Sequence, residues 1–491
     1  MSFEEKPPIT TPPRDRSSSP EDGAALDPEL ERRLVRRLDL YIIPVAMVLY
    51  MLAFLDRINI GNARLYGLEE DLGIAGTLGY QTAVSLLFVT YLLFEVPSNL
   101  VLKKFRPSRW IAFITTAWGI AATCTGLVQS YGGLIACRLI LGLFEAGLFP
   151  GLTVYLTFWY TKKEIALRIA LLFMSAAIAG ASGGLLAYCI GFMDGIAGMR
   201  GWRWIMIIEG IPTILVGLAT PWLLSDGPAN ARFLNPEERI IMTKRMQEEH
   251  GASVKVEEKL KKQDVIACFT DWKPYMFALG CWGMVTMLYG YSINLPIIIK
   301  GLGAHWPNPV VQALTIPCYT VGAGVYVATA WWSDRTQRRG LVVMIAPIFS
   351  IAGYVILISP SPPGVKYFGC FLIASGLYVA VGIPLAWNVV NIPRYGKKAT
   401  ASGFQLTVGN ASGIMSAYLY PAVDGPRYIK GHAVTISMIA VGTMAYGTVL
   451  AYYIYENKAR DEGKRDYLLE GKTEAEIAEM GDDSPRFRYV T

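Results

Sequence analysis

Residues 40–63 read LYIIPVAMVLYMLAFLDRINIGNA. From Leu40 to Leu55 the run carries no charge, and then Asp56 and Arg57 stand side by side. With its flanking residues the run is long enough to cross about 30 Å of hydrocarbon as a helix. Working outward, Gly79 to Leu93, Ile111 to Val128 and Ala433 to Tyr455 are also long and uncharged. In lipid only helices and closed barrels satisfy the backbone, and barrel strands would alternate polar with apolar residues, which these runs do not. The chain is 53% hydrophobic and 17% charged over 491 residues, whereas a soluble domain carries charge on about a quarter of its residues. The reading is an all-α integral membrane protein.

The apolar runs predict helices near 38–60, 80–102, 110–129, 131–155, 168–190 and 202–224, then near 275–299, 311–332, 341–359, 367–390, 399–421 and 433–455. That is twelve spans in two sets of six. The expected organisation is a disordered cytoplasmic tail over 1–30, a six-helix half over 31–224, and a cytoplasmic linker over 225–270. A second half over 271–458 and a cytoplasmic tail over 459–491 follow. Arg32, Arg33, Arg36 and Arg37 flank the first span, and Lys103, Lys104, Arg106, Arg109, Lys162, Lys163 and Arg168 fill loops on the same side. Arg335, Arg338, Arg339, Arg394, Lys397 and Lys398 do so in the second half. This bias puts both termini in the cytoplasm. The loops Lys103–Arg109 and Ser333–Arg339 are both basic and both follow the second helix of a half, which hints at a parallel repeat. Such halves place a substrate site between them near the bilayer midplane.

Several classes drop out. The net charge of +6 lies in loops between spans, so topology accounts for it and no nucleic-acid partner is expected. None of the seven cysteines forms a CxxC pair, and His250, His305 and His432 are scattered. No metal, cofactor or membrane-enzyme cluster is expected. The N-terminus has no early apolar core and does not read as a signal peptide. The sequon at Asn410 falls inside a span, so no glycan is expected there.

Ionisable groups inside a membrane need an account. Here they are Asp56, Arg57, Glu95, Arg138, Glu145 and Glu209, all in the first half. Arg138 and Glu145 are nearly two turns apart and share one helix face, with Gly142 between them for close approach. Two acids and two bases can neutralise one another as a static network. They can also work. A guanidinium released when its acid takes a proton matches a substrate carboxylate. Proton coupling then follows from competition for the arginine.

The stretches Phe54–Ala63, Arg138–Gly147 with Pro150-Gly151, Gly201–Trp204 with Ile208–Gly210, and Ser402-Gly403 with Gly409-Asn410 carry a resemblance. Over about residues 30 to 460 the chain resembles the anion:cation symporter family of the major facilitator superfamily, in particular its fungal allantoate-permease branch. The resemblance implies a major facilitator fold, a small organic anion and protons as partners in a lipid bilayer, and a monomer in the plasma membrane. Its relatives carry nicotinate, pantothenate, biotin, allantoate, peptides and sugar acids, and the ending Pro485–Tyr489 is similar to nicotinate-permease-like members. Carried onto this sequence, the family pattern makes Asp56 and Glu145 proton carriers. It gives Arg57 the anion, makes Arg138 the support of Glu145, and adds Tyr91, Trp387 and Asn410 as candidate cavity residues. Tyr289 and Asn294 join them because they are polar and stand beside Gly290 and Pro296, expected helix breaks. Packing between helices accounts equally well for these last five.

The loop after the second helix departs from the family's Gly-x-x-x-Asp-Arg pattern: Lys103-Lys104 stands there, while the second copy keeps Asp334-Arg335. These four residues are the candidate inward gate, held unequally by the two halves. Glu95 and Glu209 read as structural or gating pairs. Two readings stay open beside the importer: an exporter of an acidic secondary metabolite on the same fold, and a transporter-like nutrient receptor.

Overall fold

The computed structural model describes residues 28–102, 105–161, 164–242, 245, 262–303, 305–473, 476–477 and 480–491. Twelve long helices carry the described chain. They are α1 (Pro28–Leu65), α2 (Gly79–Leu102), α3 (Pro107–Thr125), α4 (Tyr131–Thr157), α5 (Ile165–Gly191) and α6 (Gly201–Leu223), then α7 (Trp272–Lys300), α8 (Asn308–Thr336), α9 (Arg339–Ile358), α10 (Pro363–Val390), α11 (Tyr395–Ser416) and α12 (Ile429–Asp461). Nine of them, α1, α4 to α10 and α12, are long and apolar enough to cross a membrane. Lys397, Lys398, Gln405 and Asn410 make α11 more polar.

The packing repeats with a period of six. In the first set α1 lies on α5 and α6, α2 on α4, and α3 on α6; in the second α7 lies on α11 and α12, α8 on α10, and α9 on α12. The sets meet where α5 packs on α8, α2 on α11, and α1 on α7. Parallel repeats of this kind leave an interface that can serve as a site.

Three elements differ from the sequence reading. First, α1 begins at Pro28 rather than near 38. Leu34, Leu38 and Ile42 recur one turn apart and are buried, so the arginine-rich lead-in is an amphipathic extension of the helix. It is tied down by Arg37 to Glu238 at 2.9 Å and Arg168 to Asp39 at 2.6 Å. Of the expected tail over 1–30, residues 1–27 lie outside the described residues.

Second, α7 is unbroken despite Gly290 and Pro296. Proline has no N–H to bond the carbonyl four residues back. That carbonyl, of Ser292, accepts instead from the Tyr319 hydroxyl of α8 at 3.0 Å. The Asn294 amide bonds the Gly290 carbonyl at 3.0 Å. The predicted break is thereby stitched shut. The break falls on α4, between Tyr131–Glu145 and Leu148–Thr157. Pro150 cannot donate to the Ala146 carbonyl, and the helix loosens just after Glu145.

Third, the segment after α12, expected to be a tail, packs back onto the second helix set. Asp482 is 1% exposed and accepts from Lys273 Nζ at 2.7 Å and Lys397 Nζ at 2.9 Å. Tyr489 stacks on Tyr453 with ring centroids 4.1 Å apart, and Val490 N donates to Asn391 at 2.8 Å. Burial alone would raise the Asp482 carboxyl, but the two ammonium groups outweigh it and hold it below its ordinary value. The Tyr489 phenol is pushed up to about 12, chiefly by burial.

Candidate functional site

The α1–α7 crossing sets the site. Gly61 of α1 lies so close to the Ile293 carbonyl of α7 that a Cβ there would overlap it. One turn earlier on α1, Arg57 therefore reaches across to α7, where its Nη1 donates to the Tyr289 hydroxyl at 2.9 Å. Tyr289 in turn donates to Asn410 Oδ1 of α11 at 3.0 Å. The Arg57 guanidinium lies 4.6 Å over the Tyr91 ring and 5.9 Å from the Tyr289 ring centre, within the range of cation–π attraction.

Glu145 closes the arrangement from the first helix set. Its Oε1 is 2.5 Å from Arg57 Nε, with the two side chains 1% and 6% exposed. Glu145 sits at the end of the first segment of α4, next to the loosened turn. Gly142, one turn back, lets α2 approach: a Cβ there would meet the Leu87 carbonyl and the Thr90 hydroxyl.

Asp56 turns away from Arg57. It accepts from Trp118 Nε1 of α3 at 3.0 Å and from the Thr213 hydroxyl of α6 at 3.5 Å. Arg138, expected to support Glu145, is buried with its Nε unpartnered. Its charge acts on Tyr80 and Asp56 more than on Glu145. Arg57 reaches Glu145 from α1 and makes its ion pair, and Arg138 acts on Glu145 as a second, weaker charge.

Beside Arg57 is a cavity of about 30 Å³. Tyr50, Phe54, Tyr91, Phe149, Phe173 and Tyr289 line it together with Arg57 and Asn410. The volume suits about one water molecule, so anything larger enters only when the helix sets part. Hydrogen bonds join the sets at the end bearing the loop 66–78. Arg64 donates to the Tyr420 carbonyl at 3.1 Å, and Asn308 to the Leu65 carbonyl at 2.7 Å.

The structure brings Arg57, Tyr91, Tyr289 and Asn410 around one cavity, with Glu145 paired to Arg57 behind its wall. It does not bring Trp387 there: that indole donates to the Val490 carbonyl at 2.6 Å and packs among Phe277, Tyr446 and Tyr453. Asn294 bonds its own helix, away from the cavity. Glu95, near the end of α2, is buried and does not line the cavity. Among the expected gate residues, Asp334 accepts from Arg339 of its own half at 3.1 Å, and Arg335 lies 4.5 Å over the Trp331 ring. Among the described residues neither bonds to the other helix set. Lys103 and Lys104 lie outside the described residues. Sequence reasoning missed Trp118 and Thr213. Their signal was present only as an indole and a hydroxyl one helix away from a buried acid. Among the described residues no His, Cys, Asp and Glu group could hold a metal ion.

Residues 46–417 match the family model described as Major Facilitator Superfamily. The uncharacterized transporter C1002.16c of Schizosaccharomyces pombe is 39% identical over 93% of this chain and 90% of its own. A high-affinity nicotinic acid transporter of Saccharomyces cerevisiae is 31% identical over 94% of this chain and 85% of its own. The solved structure of a bacterial homolog to the human lysosomal transporter Spinster superposes with a TM-score of 0.61 at 18% identity, covering 83% of this chain and 96% of that one. It speaks to the fold alone.

Proposed function

We propose, for a chain that belongs to the Major Facilitator Superfamily, that it is a proton-coupled symporter importing a small organic anion. All twelve helices cross the membrane in this reading, both termini are cytoplasmic, and the loop 66–78 faces outward. The carrying observation is the Arg57–Glu145 ion pair at the interface of the halves, beside an aromatic-lined cavity. A guanidinium offers a carboxylate a planar fork. When the helix sets part, the substrate carboxylate takes the place of Glu145 on Arg57. Glu145 then loses its counter-ion in a low-dielectric wall, and a proton is the cheapest replacement.

Substrate and proton thus load together. Release on the far side reverses the exchange: the proton leaves Glu145, the carboxylate returns to Arg57, and the substrate is displaced. Asp56, held by Trp118 and Thr213, is the second proton group, and Arg138 balances charge near it. The aromatic walls favour a planar ring on the anion. The nicotinic acid of the yeast relative's name has that chemistry, which makes nicotinate the first substrate to test.

The experiment is uptake of labelled nicotinate and other small carboxylates in a transport-deficient host. Accumulation should rise as external pH falls and collapse with a protonophore. Saturable accumulation indifferent to both would end the symport reading. Export would show as lower cell content with the protein than without it.

A further inference from the structure

Glu209 takes no part in the exchange just described. It is 1% exposed on α6, and neither carboxylate oxygen has a hydrogen-bond partner. Among the described residues no cation pairs with it, and the Asn59 amide of α1 is the side chain placed to donate to it. A buried carboxylate without a cation is costly to keep ionised, whereas the neutral acid has no charge to desolvate.

Its surroundings run in one direction. Asn59 of α1 stands beside it, with its own Oδ1 unpartnered. Thr213, one turn further along α6, shares its hydroxyl between the Glu209 carbonyl at 3.4 Å and the Asp56 carboxylate at 3.5 Å. From α1 the only charged group acting on Glu209 is Asp56. From α3 the nearby polar groups are Thr123, against Gly210, and Trp118, on Asp56. The one charged residue of α5, Arg168, is bonded to Asp39. Glu209 lies about 12 Å from the start of α6, at 1.5 Å per residue. Towards that end Asn62, Tyr80 and Gln81 are buried with unpartnered polar atoms, the kind of lining that hydration satisfies.

We propose that Glu209 is a proton relay between the face bearing the loop 66–78 and Asp56. Buried acids in series are a usual form of proton path in membranes. In each step the Glu209 carboxyl O–H bond breaks, the Asp56 carboxylate gains that proton, and Glu209 takes a new one from the medium at that face. Nothing else is consumed. The relay rests on the symport reading.

The test uses the full chain in vesicles, with labelled nicotinate or whichever carboxylate the uptake screen identifies. Wild type, Glu209→Gln and Glu209→Asp are compared for counterflow exchange and for uptake driven by a pH gradient. Glu209→Gln should keep exchange within about twofold and lose pH-driven uptake by about tenfold or more. Glu209→Asp keeps an acid one methylene short and should recover about a third of that uptake, short of the wild-type rate, with exchange unchanged. pH-driven uptake at the wild-type level in Glu209→Gln would overturn the relay. So would equal loss of exchange and uptake in both variants, which marks a structural residue. If Glu209→Gln fails to reach the membrane, Glu209→Asp decides alone: full wild-type uptake rate across the pH range overturns the relay, and slowed uptake with normal exchange supports it. A wild type that exchanges substrate but ignores the pH gradient would instead remove the symport reading, and the relay with it.

Discussion

The guanidinium of Arg57 on α1 meets the carboxylate of Glu145 on α4 at 2.5 Å, Nε to Oε1, in a wall where both side chains are almost wholly buried. A buried pair of this kind is weak evidence for stability, since desolvation offsets much of the attraction, but breaking it by removing one partner costs about 3–5 kcal/mol. A ligand that supplies the missing partner avoids that cost. The pair is thus suited to being exchanged rather than only to holding helices together.

Glu145→Gln removes the proton site while keeping the shape. The variant should still exchange labelled substrate across the membrane but should not concentrate it. One pH unit contributes about 1.4 kcal/mol per coupled proton, a factor of ten in accumulation. Counterflow and net uptake measured in the same vesicles check this. Loss of both at normal surface expression would make Glu145 a structural residue.

Arg57→Lys keeps the charge and loses the fork. In the structure Arg57 serves Glu145 through Nε and Tyr289 through Nη1 at once, and a single ammonium cannot reproduce both directions. Apparent affinity should fall by about tenfold or more, equivalent to about 1.4 kcal/mol. A concentration series of uptake reads it, and near-normal affinity would leave Arg57 no role in binding.

Gly61→Val tests the α1–α7 contact. Its new side chain would meet the Ile293 carbonyl, which is backbone and cannot step aside. Overpacking of this sort costs about 1–3 kcal/mol. The halves should therefore close less well at the end bearing the loop 66–78. A cysteine placed at Asn62, which is buried, should be labelled by an impermeant thiol reagent about fivefold faster or more in the Gly61→Val background. Equal labelling rates would mean that this crossing does not gate access.

Asp482→Asn tests the docked end segment. Lys273 and Lys397 would then share Asp271 alone. The purified protein should lose several degrees of thermal stability, in line with about 3–5 kcal/mol for an uncompensated buried charge. The pH dependence has a definite sign. The folded carboxyl is held below its ordinary 3.8, so its contribution is complete above that value and lost as pH falls through the lower folded one. Melting of wild type and variant should differ equally at pH 5 and pH 7 and converge only below about pH 4. Identical melting at neutral pH would contradict the assignment.

The sequence made the helix sets and the charged level within them legible, because charges inside apolar runs are rare enough to mark it. It brought Arg57, Glu145, Tyr91, Tyr289 and Asn410 into view together; four of them line one cavity, and Glu145 pairs with Arg57 beside it. Partner assignment was not legible. Which arginine reaches Glu145 depends on the rotation of α1 against α4 and on the looseness that Pro150 introduces, and neither is local to one helix. Trp387 and Asn294 were polar groups within plausible spans, but one caps the returning end segment and the other repairs its own helix. That segment read as a solvated tail because its charges, Asp482 foremost, find their partners more than eighty residues away in sequence.

The most direct measurement is of the proton itself. Protein reconstituted in vesicles that enclose a pH-sensitive dye is given an inward gradient of the transported carboxylate, with protein-free vesicles as the control. Wild type should acidify the lumen in step with substrate entering, and Glu145→Gln, in vesicles preloaded with a little unlabelled substrate, should admit labelled substrate by exchange without acidifying it. Substrate uptake by wild type with no change in lumen pH, or unaltered acidification by Glu145→Gln, would contradict proton exchange at the Arg57–Glu145 pair.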